Sequence, residues 1–131
     1  MALIKIHAEA ERLPELRAHV ARSIKLVGAA ALNVPEMPAT LSSVRIVYVE
    51  AFDLTGIDYM CEIIGLKRPN EQEIADRLVA GLNEVYPDTW FYVYFIHNDE
   101  DGMSSSREND YTDTSITMDE AVRLAKEHRV V

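Results

Sequence analysis

The sequence predicts an α+β domain, an α/β sandwich with helices laid on a sheet, and three observations carry that expectation. A strand–helix–strand pattern occurs twice, in residues 1–52 and again in 57–97. Each helix shows one apolar stripe at three- and four-residue spacing, set between runs rich in Val, Ile and Tyr. The chain has 131 residues, 48% of them hydrophobic, which suits a single domain with a real core, since domains commonly hold roughly 100–150 residues.

Residues 2–8 alternate apolar and polar from Ile4 onward, as a half-buried strand does. Pro14 fits the first turn of a helix, where its fixed φ is already helical and its missing N–H is not needed. Leu16, Val20, Ile24 and Val27 then mark one apolar helix face. Pro35 and Pro38 bracket a loop. Ser43 to Ala51 is rich in β-branched residues and Tyr, hence a second strand. Asp53 to Gly56 reads as a turn, and Tyr59 to Leu66 as a third strand. Asn70 with Glu73 has capping-box spacing, ahead of a helix carrying Ile74, Leu78, Leu82 and Val85. Pro87-Asp88 closes that helix, and Trp90 to Ile96 is the fourth strand, an aromatic one.

Residues 98–116 are mostly polar, with Met103, Tyr111 and Ile116 as large apolar interruptions. A connection of that length is uncommon in a compact domain and reads as a functional lid or a poorly ordered loop. Thr117 with Glu120 repeats the capping-box spacing and starts a C-terminal helix over 117–131, with Met118, Val122 and Ala125 on one face. One domain over 1–131 accommodates all of this. Two architectures share the element order: paired parallel β-α-β units and the ferredoxin-like split arrangement. Periodicity does not separate them.

The formal net charge is -9, from 22 acids against 13 bases. Residues 97–131 hold nine of the acids and four of the bases, so -5 of the charge sits there. Nucleic acid and anionic membrane surfaces, which select clustered Lys and Arg, are not expected partners. The single cysteine, Cys61, excludes an intrachain disulfide and any multi-cysteine zinc site. The opening Met1-Ala-Leu-Ile-Lys-Ile-His7 turns polar at once, so the expectation is a cytoplasmic chain without a secretory leader.

Three short stretches stand in register with the repeat. Leu3-Ile-Lys-Ile-His7 is followed by Arg12, Leu41-Ser-Ser-Val-Arg45-Ile-Val47 opens the second strand, and Arg68-Pro-Asn-Glu-Gln72 opens the second helix. Together they resemble the tautomerase superfamily over residues 2–98. The first two are similar to 4-oxalocrotonate tautomerase. The fused length is similar to 5-carboxymethyl-2-hydroxymuconate isomerase and macrophage migration inhibitory factor. The resemblance implies two fused β-α-β units, a four-stranded mixed sheet with two helices on one face, and a homotrimer. It also implies an isomerase acting on a small anionic, carboxylate-bearing substrate without any cofactor. Arg45 falls on the family's substrate arginine, Arg12 on a second substrate-binding position, and Asn98 on a pocket position. One departure stands out. The family's general base is an amino-terminal proline, and here residue 2 is Ala2. Ala2 supplies a primary amine only if Met1 is removed, and an α-amine can act as a base near neutrality.

Each candidate has a plainer reading. Arg45 lies on a strand face with Val47, Val49 and Ala51, where a guanidinium either grips a substrate carboxylate bidentately or pairs with an acid such as Glu50 or Glu62 at a subunit contact. Arg12 and Arg68 sit at strand-to-helix junctions, where an exposed surface arginine is the ordinary case, and Arg68 is ranked the weaker. His7, His97 and Asp99 have no metal-ligand spacing, so no metal is expected. The aromatics of 90–95 are expected to pack, on helices to one side and on a neighbouring subunit to the other. Glu50, Asp58, Tyr59 and Glu62 are substitutes for the missing base, and Cys61 is expected as a buried small hydrophobe. The leading expectation is a tautomerase-like ligand binder, with weak keto–enol isomerase activity lacking proline chemistry. The others are a non-catalytic ligand-binding or assembly relative and a ferredoxin-like dimeric binding module.

Overall fold

Alternation decides the first strand. In the computed structural model, which describes residues 1–98, 104–107 and 111–129, β1 (Ala2–Glu9) buries Ala2, Ile4, Ile6 and Ala8 on one face. Leu3, Lys5, His7 and Glu9 are left half-buried on the other, the two-residue period of a pleated strand. A 3-10 turn (Ala10–Arg12), an α turn (Leu13–Glu15) with Pro14 at its start and a π segment (Leu16–Val20) lead into helix α1 (Ala21–Leu32). The expected stripe Leu16, Val20, Ile24 and Val27 is fully buried. β2 (Val44–Ala51) follows a 3-10 turn, Leu41–Ser43, where the Thr40 and Ser43 side chains cap each other's backbone N–H groups. β3 (Tyr59–Gly65), α2 (Glu71–Val85), β4 (Phe91–His97) and α3 (Met118–Arg129) complete the chain.

The sheet order is β2-β1-β3-β4. β1 pairs parallel with β2, β3 pairs parallel with β4, and β1 meets β3 antiparallel. The two strands of each β-α-β unit are therefore neighbours. A ferredoxin-like split would place another strand between them, so that alternative is overturned. α1 and α2 cover one face, and α3 packs on both of them, which is why α1 is buried well beyond its original stripe, from Leu26 through Leu32. Among the described residues no helix covers the opposite face of the sheet.

The helix starts differ from expectation at one place. Asn70 is the N-cap of α2, yet its backbone is left-handed (φ 58°, ψ 41°) and its side chain makes no capping bond. That conformation turns the amide away from the helix start, and the Glu71 carboxylate occupies this end instead, accepting the Arg68 N–H at 3.2 Å. Thr117 does cap α3, its hydroxyl accepting the Glu120 N–H at 3.2 Å. Of the polar segment 98–116, residues 99–103 and 108–110 lie outside the described residues. Its later part is tied down: Asp113 accepts from the Thr40 hydroxyl (2.9 Å) and the Ser42 N–H (3.1 Å), and the Ser115 hydroxyl donates to the Ala39 carbonyl (2.7 Å). Residues 111–117 thus act as a strap onto the turn before β2, with Ile116 against the core.

Gly81 is where α1, α2 and α3 meet. A Cβ there would lie 2.7 Å from Val27 Cγ1 and 2.9 Å from Met118 Sδ. Gly81→Val should therefore cost about 1–3 kcal/mol through overpacking, against a smaller helix-propensity gain. Thermal unfolding should show a melting point several degrees lower, and an unchanged one would mean that α3 moves aside freely.

Candidate functional site

Strand directions decide which ends of the chain meet. Because β3 runs against β1 and β4 runs with β3, the start of β1, the end of β3 and the end of β4 share one edge of the sheet. β2, parallel to β1, begins there too, with Arg45 beside Leu3. A cleft of about 390 Å³ opens at this edge, walled by Met1, Leu3, Ile64 and Leu66 and rimmed by Asn98 and Ser104. The Asn98 N–H donates to the Gly65 carbonyl at 2.8 Å, which holds this residue at the rim. The walls are apolar and the rim is polar, so the cleft suits a ligand with an apolar body and a polar head.

Two cations face this end. Arg45 is exposed and donates to the Ser42 carbonyl. Among the described residues of the one chain it has no carboxylate partner. Arg68 is only 4% exposed, and its Nε has no hydrogen-bond partner among the described residues. Burial lowers the basicity of the Met1 amine, and the nearby Arg68 and Arg45 charges lower it further. Both guanidinium charges thus act on the amine end, a field that attracts an anion. Ala2 itself is buried, the first residue of β1, with Met1 preceding it.

Arg12 stands elsewhere. It follows the far end of β1, and Leu3 and Glu9 alone are about 20 Å apart at strand spacing. Its guanidinium binds Asp58 Oδ1 at 2.5 Å, with Glu15 3.7 Å away. Within one chain, Arg12 and Arg45 do not meet. Arg68, ranked below Arg12 from the sequence, is the arginine that reaches the amine end. The turn after an antiparallel β3 returns to the start of β1, a consequence of strand order rather than of local pattern.

The proposed substitute bases also lie away from the cleft. Asp58 is held by Arg12 and by the Trp90 N–H at 2.8 Å. The Tyr59 hydroxyl donates to Glu15 at 3.0 Å, and burial together with that carboxylate pushes its phenol far up. Glu62 sits on the uncovered face, where the Tyr94 hydroxyl donates to it at 2.5 Å and His7 Nε2 lies 3.6 Å away. The Tyr94 bond holds the Glu62 carboxyl below its usual range, while burial and Glu62 push the Tyr94 phenol up to about 12. Glu50 is exposed on β2. Cys61 is buried, and desolvation raises its thiol to about 12, as befits a small apolar filler. His7 and His97 are in different rows, against Met60 and Gly65, and Asp99 lies outside the described residues. The aromatic strand divides by face: Phe91 stacks on Tyr59 at 5.6 Å inside, while Tyr92 and Tyr94 meet edge-on at 5.9 Å outside.

No protein-family model matches the sequence, and no curated protein matches it. Solved structures do. A member of the cis-3-chloroacrylic acid dehalogenase family, N1, superposes with a TM-score of 0.55 at 12% identity, covering 98% of this chain and 99% of that one. A 5-carboxymethyl-2-hydroxymuconate isomerase from Deinococcus radiodurans R1 gives 0.51 at 14% identity over 82% of this chain and 90% of that one. The chain has the tautomerase-superfamily fold. A domain of unknown function from Sebaldella termitidis ATCC 33386 is also similar, with a TM-score of 0.49 at 20% identity, covering 81% of this chain and 96% of that one. At 98% coverage the N1 match takes in the C-terminal helix as well. No helix among the described residues is long and apolar enough to cross a membrane.

Proposed function

We propose that the chain binds a small carboxylate-bearing ligand in the cleft at the start of β1 and acts there as a weak keto–enol isomerase. The observation that carries this reading is an apolar-walled cleft of Met1, Leu3, Ile64 and Leu66 with Asn98 at its rim, beside an amine end on which the Arg68 and Arg45 charges act. Arg45 and Arg68 take the ligand carboxylate, since a guanidinium fork matches its geometry. Asn98 at the rim supplies a polar contact, and the apolar walls take the body. After removal of Met1 the amine of Ala2 lies beside the same cations. Assembly as a homotrimer is part of the proposal. It is supported by the uncovered sheet face, where Val47, Val49, Tyr92 and Ile96 are exposed together. Arg12 joins a site only through another copy.

A second reading, a binding protein without catalysis, is favoured by the absence of proline at residue 2. Titration with phenylpyruvate and a proton-exchange assay on the same compound separate the two. Arg45→Ala should weaken binding about tenfold, the low end for a charged hydrogen bond at an exposed site. Equal affinity for wild type and variant would remove Arg45 from the site, and binding without exchange would leave the second reading. Sedimentation should give three times 14.8 kDa.

A further inference from the structure

The ligand-binding reading leaves open what aims Arg45, a long and exposed side chain. We infer that Asp113 is its positioning residue, acting through the turn before β2 on the guanidinium that meets the ligand; the inference rests on that reading.

Placement comes first. Arg45 is directly opposite Leu3 in the sheet register, so the two side chains stand on the same face of the sheet, and Leu3 walls the cleft. The Arg45 charge acts on the Met1 amine at the same edge. Its Nη1 donates to the Ser42 carbonyl. Among the described residues that is the one hydrogen bond this side chain makes. The rest of its N–H fork stays open to a carboxylate.

The direction of the Ser42 carbonyl is set by the turn around it. Both peptides that flank Ser42 are held. Its own N–H donates to Asp113 Oδ2 at 3.1 Å, and the next N–H, that of Ser43, donates to the Thr40 carbonyl at 3.1 Å. Asp113 Oδ1 accepts the Thr40 hydroxyl at 2.9 Å, so a single carboxylate ties Thr40 to Ser42. The strap keeps Asp113 in place, with the Ser115 hydroxyl on the Ala39 carbonyl at 2.7 Å and Ile116 against the core. Desolvation works against the Asp113 charge, yet the Ser42 and Thr40 donors outweigh it and hold the carboxyl below its usual range. Asp113 is therefore ionised near neutral pH, and an ionised carboxylate can accept both bonds at once.

An unrestrained arginine loses rotamer freedom when it grips a ligand. One that already leans on an oriented carbonyl gives up less. Asp113 thus adds to affinity without touching the ligand, and only by way of Arg45. The neighbouring strap bond, Ser115 to Ala39, holds the chain but not Ser42.

Titration calorimetry of the whole chain with phenylpyruvate tests the assignment. Asp113→Ala should bind about threefold more weakly than wild type, within the coupling seen between members of one hydrogen-bond network. On an Arg45→Ala background the same change should alter nothing further. Asp113→Asn keeps one acceptor oxygen and should recover part of the loss. Ser115→Ala releases the neighbouring strap bond while Ser42 stays held, so it should bind as wild type does. Undiminished affinity in Asp113→Ala, an equal loss in Ser115→Ala, or the same loss on the Arg45→Ala background overturns the positioning role and leaves the ligand-binding reading standing. An Arg45→Ala variant that binds as wild type does removes Arg45 from the site and this role with it. Wild type that binds no phenylpyruvate overturns the ligand-binding reading itself.

Discussion

Arg68→Met should leave the protein at least as stable as wild type while weakening phenylpyruvate binding by one to two orders of magnitude. The stability half follows from burial. A guanidinium with 4% exposure and an unpartnered Nε is desolvated without full compensation, and its charge is disfavoured chiefly for that reason. A base whose folded pKa is lowered carries a cost at every pH where it is charged. For arginine that is the whole working range. Methionine fills a similar volume with no charge to desolvate, and such replacements of buried charge are often neutral or stabilising. The binding half follows from loss of a charge-assisted hydrogen bond, worth about 1.5–3 kcal/mol, or roughly 10- to 150-fold. Calorimetric melting and titration of the same preparation check both halves. A sharp fall in melting temperature with binding intact would make Arg68 a structural residue. A site that costs stability and confers affinity is a common trade-off, and this pair of measurements exposes it.

Elements whose signal is a local period were legible in the sequence. Leu16, Val20, Ile24 and Val27 announce their helix because each stands one turn from the next, and all four are fully buried. The strands were legible for the same reason. What depends on pairing between distant segments was not. Nothing in residues 59–66 says that β3 lies antiparallel to β1, and that one fact brings Arg68 to the amine end and leaves Arg12 at the other. Asn70 was misread because a capping box is a spacing rule, whereas capping needs an extended backbone at the cap and this asparagine is left-handed. The strap at Asp113 escaped notice since its partners, Thr40 and Ser42, lie about seventy positions away and side-chain bonds of that range have no sequence period. The contact of Glu71 with His97 at 2.6 Å was equally illegible, since it depends on where the end of β4 meets the start of α2.

Replacing Ala2 with proline, in a chain from which Met1 is removed, should raise the phenylpyruvate exchange rate by about 10- to 100-fold, within the range a positioned base contributes. The first residue of a strand is a place where proline is tolerated. Room for the ring comes from Gly65, whose absent Cβ would stand 3.4–3.9 Å from Met1 and Ala2 atoms, and from the volume that Met1 vacates. The electrostatics favour the neutral base. Burial, Arg68 and Arg45 lower the Met1 amine, and the same surroundings should push an amine at residue 2 in the same direction. The sign runs one way: the rate should hold to lower pH than an unperturbed amine would permit, and should fall once the amine protonates. An Ala2→Pro variant no faster than wild type would mean that the ligand is held out of reach of the amine.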